Sequence, residues 1–302
     1  MTESNLMVLE VELSKCINRS VYMTTQEYNH YCEYWKIPLL EVYIDKLEDA
    51  FGNALSEIVI ERNFVNVLVR AYPQCILVLK EVLCLLKHGF PDGALARARR
   101  IYENMVIAAY LHCHKGDADF PDVIDRYFDD QHLRAYYGRQ RLFLSMKQDS
   151  KATDCNKAIN RIIGKHTSQG KFQEKKKEIL SNNYWWAKNR AMSFSKMSEC
   201  IDDKYAKTLY LRACHSVHAG AMGDVALLGR PQTKEQCLYS GPTFDGASVP
   251  LQLAVWSFDN MTSIVFDALG VSSPVSNEDF SVLLETYFNN SAEEMKEISM
   301  HD

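Results

Sequence analysis

Apolar side chains recur at three- and four-residue steps along nearly the whole chain, the periodicity of helices with one buried face. The first sustained stretch runs from Leu39 to Ile60. Pro73 is expected in the first turn of the next helix, because proline lacks the N–H that a helix interior uses. That helix extends to Lys87 and stops at His88-Gly89 followed by Pro91. Leu77, Leu79, Val82, Leu83 and Leu86 make it apolar round most of its circumference, so it is expected to be central. The same period predicts helices from about Asp92 to His114, Pro121 to Met146, Thr153 to His166, Lys171 to Leu180, Ser195 to Cys200 and Asp203 to His218. A strongly apolar helix, Leu251 to Leu269, ends at Gly270, and Ser276 with Asp279 forms a capping box for a last helix ending near Asn289. The pattern predicts an all-α helical bundle with N-terminal and C-terminal helical additions.

Composition agrees. The 302 residues are 47% hydrophobic and 24% charged, which excludes a disordered or fibrous chain. Glycine and proline together number 21, about 7% of the chain against a usual 12% or so, which argues against an all-β protein. Gly220 to Pro250, with five glycines and three prolines, is expected to be an irregular connection. The N-terminus shows no basic region followed by an apolar core, and the longest apolar candidate, Cys75 to Leu86, is broken by Lys80 and Glu81. A soluble, cytoplasmic protein without a membrane partner is therefore expected. The nine cysteines include no Cys-x-x-Cys pair and are expected to be small buried hydrophobes, with no disulfide framework or zinc site. The glycine-rich phosphate loops and the Gly-x-Ser-x-Gly elbow are missing, so no nucleotide cofactor and no serine hydrolase is expected.

The net charge of −5 is unevenly distributed. From Arg134 to Arg190 fourteen Lys or Arg face four Asp or Glu, so this segment carries +10 and the rest of the chain −15. Aromatic residues alternate with these cations, a combination suited to phosphate attraction and base stacking. Arg139, Arg141, Arg161, Lys165, Lys175, Lys176, Lys177, Trp185 and Trp186 are the candidate RNA contacts. The alternative is a solvated helical face whose aromatics belong to the core.

Tyr205 to Gly220 is the window richest in chemistry. On a helix, Ala206, Tyr210, Ala213, Cys214 and Val217 form a core-facing stripe, while Arg212, His215 and His218 form a second stripe roughly opposite. Crowded cations call for an anion or a carboxylate. Histidine titrates near neutrality and can take a proton from a ribose 2′-OH or give one to a leaving oxygen, and a guanidinium can grip a phosphoryl oxygen. The alternative is that Arg212 pairs with a carboxylate, His215 lies at the surface and His218 caps a helix end.

Arg212 and His218, with five residues between them, resemble the Arg-x(4–6)-His motif of the HEPN superfamily. The wider stretch from Tyr184-Trp185-Trp186 to His218-Ala219-Gly220 resembles an uncharacterised bacterial domain family with a HEPN-like bundle. Arg97, Arg99, Arg100, Tyr102 and Glu103 resemble that family's earlier Arg-x-x-x-Glu helix. The resemblance implies a four- to five-helix core at roughly residues 65–270, an N-terminal helical extension at 1–64, and a C-terminal capping helix and tail at 271–302. It implies a homodimer in which two motifs meet, acting as a metal-independent RNA endonuclease of a toxin or antiphage system, with a protein partner from that system. Arg212 would stabilise the transition state, His218 would be the general acid/base, and His215 and Glu103 would support them. A non-catalytic interaction or nucleotide-binding module remains the alternative.

Two more patterns complete the reading. Arg99 and Arg100 stand four and three residues before Glu103, the spacing of local helix pairs, and Glu103 could orient His218 or balance Arg212 if the two helices pack together. Asp122, Asp125, Asp129 and His132 share a helix face, for which a solvated acidic surface is expected in preference to a metal set.

Overall fold

A computed structural model describes residues 24–55, 62–167, 172–187, 192–217 and 244–300, with residues 216 and 292–300 described as backbone only. Helices account for every regular element among them, and no strand is present among the described residues. In chain order they are α1 (Thr25–Tyr34), α2 (Ile37–Leu55), α3 (Phe64–Lys87), α4 (Pro91–Cys113), α5 (Phe120–Ser145), α6 (Asp149–Lys165), α7 (Phe172–Ser181), the single turn α8 (Phe194–Met197) continued as a 3₁₀ turn, α9 (Lys204–Val217), α10 (Ser248–Leu269) and α11 (Asn277–Met300). No described helix is long and apolar enough to cross a membrane. Most of Gly220 to Pro250 lies outside the described residues, as does His218.

Several boundaries differ from expectation: α6 begins at Asp149 where Thr153 was expected and α10 at Ser248 where Leu251 was, and two differences are larger. α3 begins at Phe64, so Pro73 lies inside the helix. The missing N–H leaves the Val69 carbonyl without its usual intrahelical donor, and the apolar face on either side outweighs that loss: Leu68, Tyr72, Leu79 and Val82 are all buried. α11 continues to Met300, well past Asn289. Its start is as expected, with Ser276 N–H donating to Asp279 Oδ2 at 2.9 Å and Asp279 N–H donating back to Ser276 Oγ at 3.2 Å.

The chain divides into two compact units. The first comprises the described parts of Met1–Ile58, Val69–Met105 and Asp203–Asp302; the second comprises those of Val59–Leu68 and Val106–Asp202. The divisions therefore fall inside α3 and α4.

In the first unit, α10 is buried nearly all round, as a helix with so few polar positions must be. Tyr72 stacks on Phe258, with ring centroids 5.6 Å apart and 9° between planes, and its hydroxyl lies 3.0 Å from Thr262 Oγ1. The turn between α3 and α4 places Gly89 at φ 77°, with Phe90 N–H donating to Leu85 O at 2.9 Å. That turn folds α4 back along α3, and Asn104 Nδ2 donates to Cys75 Sγ at 3.5 Å.

In the second unit, α5 and α6 pack through Leu133, Ile159, Ile162 and Ile163, joined by Ile179 of α7 and by Trp185. The α5–α6 turn uses Lys147 at φ 55°, a position where glycine is the usual residue. Gln148 N–H donates to Phe143 O at 2.8 Å across it.

Candidate functional site

α9 is started by Asp203, whose carboxylate accepts the Ala206 N–H at 2.9 Å. Its inner stripe forms as the period requires: Ala206, Leu209 and Ala213 are buried, and Tyr210 and Cys214 half-buried. Val217, assigned to that stripe, is 48% exposed. Arg212 and His215 are exposed on the outer side, and among the described residues no hydrogen bond or ion pair engages Arg212.

Glu103 lies on the other side of α9. Tyr102 stacks on Tyr210 with centroids 4.6 Å apart, and the Tyr210 hydroxyl donates to Glu103 Oε1 at 3.3 Å. Arg99 Nε donates to the same oxygen at 2.8 Å while its guanidinium sits 5.7 Å from the Tyr210 ring centroid. Burial first, and hydrogen bonding to Cys214 next, push the Tyr210 hydroxyl well above the usual phenol range, so it stays a donor. Tyr210 and Arg212 are about 200° apart around the helix. The structure thus brings Glu103 to Arg99 and Tyr210, and does not bring it to Arg212 or His215.

A groove of about 410 Å³ runs between α3 and α4 and reaches the last residue of α9. Gln74, Leu77 and Val78 line one wall, Ala96, Arg97, Arg99, Arg100 and Glu103 the other, and Val217 the end. Glu103 neutralises Arg99, and Arg97 Nε donates to Glu81 at 2.5 Å. Arg100 is 3.9 Å from Glu103 and more than half exposed, so its charge remains available. The groove was not foreseen as a unit, although Arg97, Arg99, Arg100 and Glu103 were singled out. Only the helix–helix register aligns them with Leu77.

The basic segment is partly consumed by the fold. Trp185 and Trp186 are corrected from base-stacking platforms to core residues, at 4% and 3% exposure. The Trp185 indole packs against Ile159, Ile162 and Ile163, and Trp186 packs edge-on to Tyr110 and Tyr127. Neither offers a face to a base. Arg134 is turned inward: Nη1 donates to Leu180 O and Nη2 to Ile179 O, each at 3.1 Å, which caps the C-terminus of α7. Lys165 donates to Asp129 at 3.3 Å and Lys175 to Glu178 at 2.8 Å. Lys176 is held by Asn156 and Asn160 at 2.8 and 2.7 Å. Arg139, Arg141, Arg161 and Lys177 remain exposed.

A cavity of about 530 Å³ opens beside Lys165, His166 and Trp185. The expected solvated acidic face on α5 is not found there, because Asp129 is 2% exposed. Arg62 bridges Asp125 and Asp129 at 2.6 and 3.0 Å, and Asp129 also lies 3.0 Å from His166 Nε2. Burial acts to raise the Asp129 carboxyl, and the hydrogen bonds from His166, Arg62 and Lys165 outweigh it, holding the group below the usual carboxylate range. Ligand atoms of Asp125, Asp129 and His166 approach within 4.8 Å of one another, but the positive charge such a set would recruit is supplied by Arg62 and Lys165. His132, on the same helix, is exposed.

Fold and site define an all-helical protein with Arg212 and His215 on the exposed face of α9 and an arginine-lined groove beside its end. A family model described as a family of unknown function (DUF5677) matches residues 65–232, and the chain belongs to that family. The match takes in the whole groove together with Arg212, His215 and His218. No curated protein and no solved structure matches the chain.

Proposed function

We infer that the protein is a metal-independent RNA endonuclease of HEPN type, acting as a dimer in which the outer faces of two α9 helices meet. The observation that carries this reading is the state of Arg212. It is exposed and, among the described residues, is engaged by no carboxylate, which the structural alternative would require. In the dimer Arg212 holds a non-bridging phosphoryl oxygen and His218 moves the proton. The 2′-oxygen attacks phosphorus as its proton passes to a base, and the departing 5′-oxygen receives a proton from an acid, leaving a 2′,3′-cyclic phosphate and a 5′-hydroxyl. His215, one turn from Arg212, stands on the same face. Glu103 acts at most through the groove. Membership of a toxin or antiphage system follows from the resemblance alone.

The test is cleavage of a single-stranded RNA in EDTA by the wild-type chain and by His218→Ala, with sizing of both. Cleavage that persists in EDTA and is lost in His218→Ala supports the reading. Binding without cleavage would move the protein to the class of interaction modules. Cleavage restored only by a divalent cation would remove the mechanism.

A further inference from the structure

We propose that the α3–α4 groove is a binding site for one nucleotide unit, its phosphate held by Arg100 and its base laid against Leu77 and Val217. The two walls are antiparallel helix ridges. Leu77, 58% exposed, is the middle of the α3 ridge, and the exposed Val217 closes the end, so the groove has an apolar side that no described residue covers. Across from it stand three guanidiniums, of which Arg97 is paired with Glu81 and Arg99 with Glu103. Glu103 is committed to Arg99 at 2.8 Å and stands 3.9 Å from Arg100, so Arg100 is the guanidinium whose charge a bound anion would meet. Gln74, exposed on the apolar side, presents an amide that can both donate to and accept from a base edge. An apolar wall facing a surplus of guanidinium charge matches a nucleotide, which is planar and apolar at one end and anionic at the other. A bare anion would use only half of it. About 410 Å³ falls within the range of small-molecule sites.

The inference concerns binding and stands apart from catalysis at Arg212 and His218. The experiment is calorimetric titration of the full chain with adenosine 5′-monophosphate, adenosine, inorganic phosphate and a single-stranded RNA trinucleotide. The variants are Arg100→Gln and Leu77→Asp, both at exposed positions, with melting temperature as the folding control. Adenosine 5′-monophosphate is expected to bind at least tenfold more tightly than either adenosine or phosphate, and each variant is expected to weaken it at least tenfold. Tighter binding of the trinucleotide assigns the site to an RNA strand, and equal binding assigns it to a free nucleotide. Phosphate binding as tightly as the nucleotide, or affinity unchanged in both variants, would overturn the proposal. RNA cleavage lost in His218→Ala would survive that failure, so the two readings separate.

Discussion

The indole nitrogen of Trp185 donates to Asp130 Oδ1 at 2.6 Å, the same oxygen that accepts from Arg134 Nε at 2.9 Å. One buried carboxylate thus ties the segment after α7 to α5. Burial raises the Asp130 carboxyl, opposed by Arg134 and then by Trp185.

Trp185→Phe keeps a ring in the core and deletes the donor. It should cost about 1.5–3 kcal/mol, the usual loss for a hydrogen bond to a charged group. Urea denaturation measures it. RNA affinity should change less than about twofold, because Trp185 offers no surface to a base; a large loss of affinity with unchanged stability would return it to the interface.

Arg212→Ala and His215→Ala lie on the solvent side of α9. Each should shift stability by no more than about 0.5 kcal/mol, as exposed substitutions do. Cleavage should fall roughly 100-fold or more for Arg212→Ala, the usual effect of removing a group that stabilises transition-state charge. Parallel melting curves and rate measurements separate the two effects.

Salt dependence distinguishes free cations from paired ones. Replacing Arg139, Arg141, Arg161 and Lys177 by Gln should reduce the slope of log affinity against log salt by up to about 3, taking roughly 0.7 per phosphate on a single strand. Lys157→Gln with Lys175→Gln should change it by less than about 1, because Asp154 and Glu178 already answer those charges. Equal effects from the two sets would mean that the internal pairs do not persist in solution.

Asp259 on α10 is raised by burial to about 7, and among the described residues its Oδ1 has no hydrogen-bond partner. A carboxyl whose folded pKa exceeds its unfolded one costs the fold nothing while protonated in both states, so Asp259's contribution is most favourable below about pH 4 and is lost as pH rises towards 7. Such a rise corresponds to as much as about 4 kcal/mol, and partial contact with solvent reduces the expected effect to about 2 kcal/mol. Asp259→Asn should therefore be more stable than wild type at pH 8, and the two should converge near pH 4. Thermal melts across that range decide it.

Lys147→Gly places glycine at φ 55° in the α5–α6 turn. Relief of the left-handed strain, less the greater freedom of unfolded glycine, should stabilise the protein by about 0.5–1 kcal/mol. A lowered melting temperature would show that the lysine side chain contributes more than its backbone costs.

Much of the helical layout is legible in periodicity, because a 3.6-residue repeat records which face is buried. Asp92 to His114 and Pro121 to Met146 fall within about one residue of α4 and α5. The outward direction of Arg212 and His215 is legible for the same reason. Pro73 misleads because the local penalty of an interior proline is visible in sequence, whereas the tertiary burial that outweighs it is not. Trp185 and Trp186 mislead because neighbouring lysines say nothing about which way a ring faces. Arg62 joining Asp125 and Asp129, and Leu77 facing Arg100, depend on register between distant stretches of chain, which composition and spacing do not encode.

Among the described residues Lys176 is fixed without being neutralised, since Asn156 and Asn160, which hold it, are uncharged amides. Its full charge therefore stays in the field around α6 and α7, while its stem has already surrendered the rotamer freedom, up to about 2 kcal/mol, that a mobile lysine loses on meeting a phosphate. Such a residue acts on the encounter more than on the finished complex. Toward the RNA proposed above as substrate it would hasten the approach without lengthening the stay, and the expected signature is an association rate that rises as salt is withdrawn.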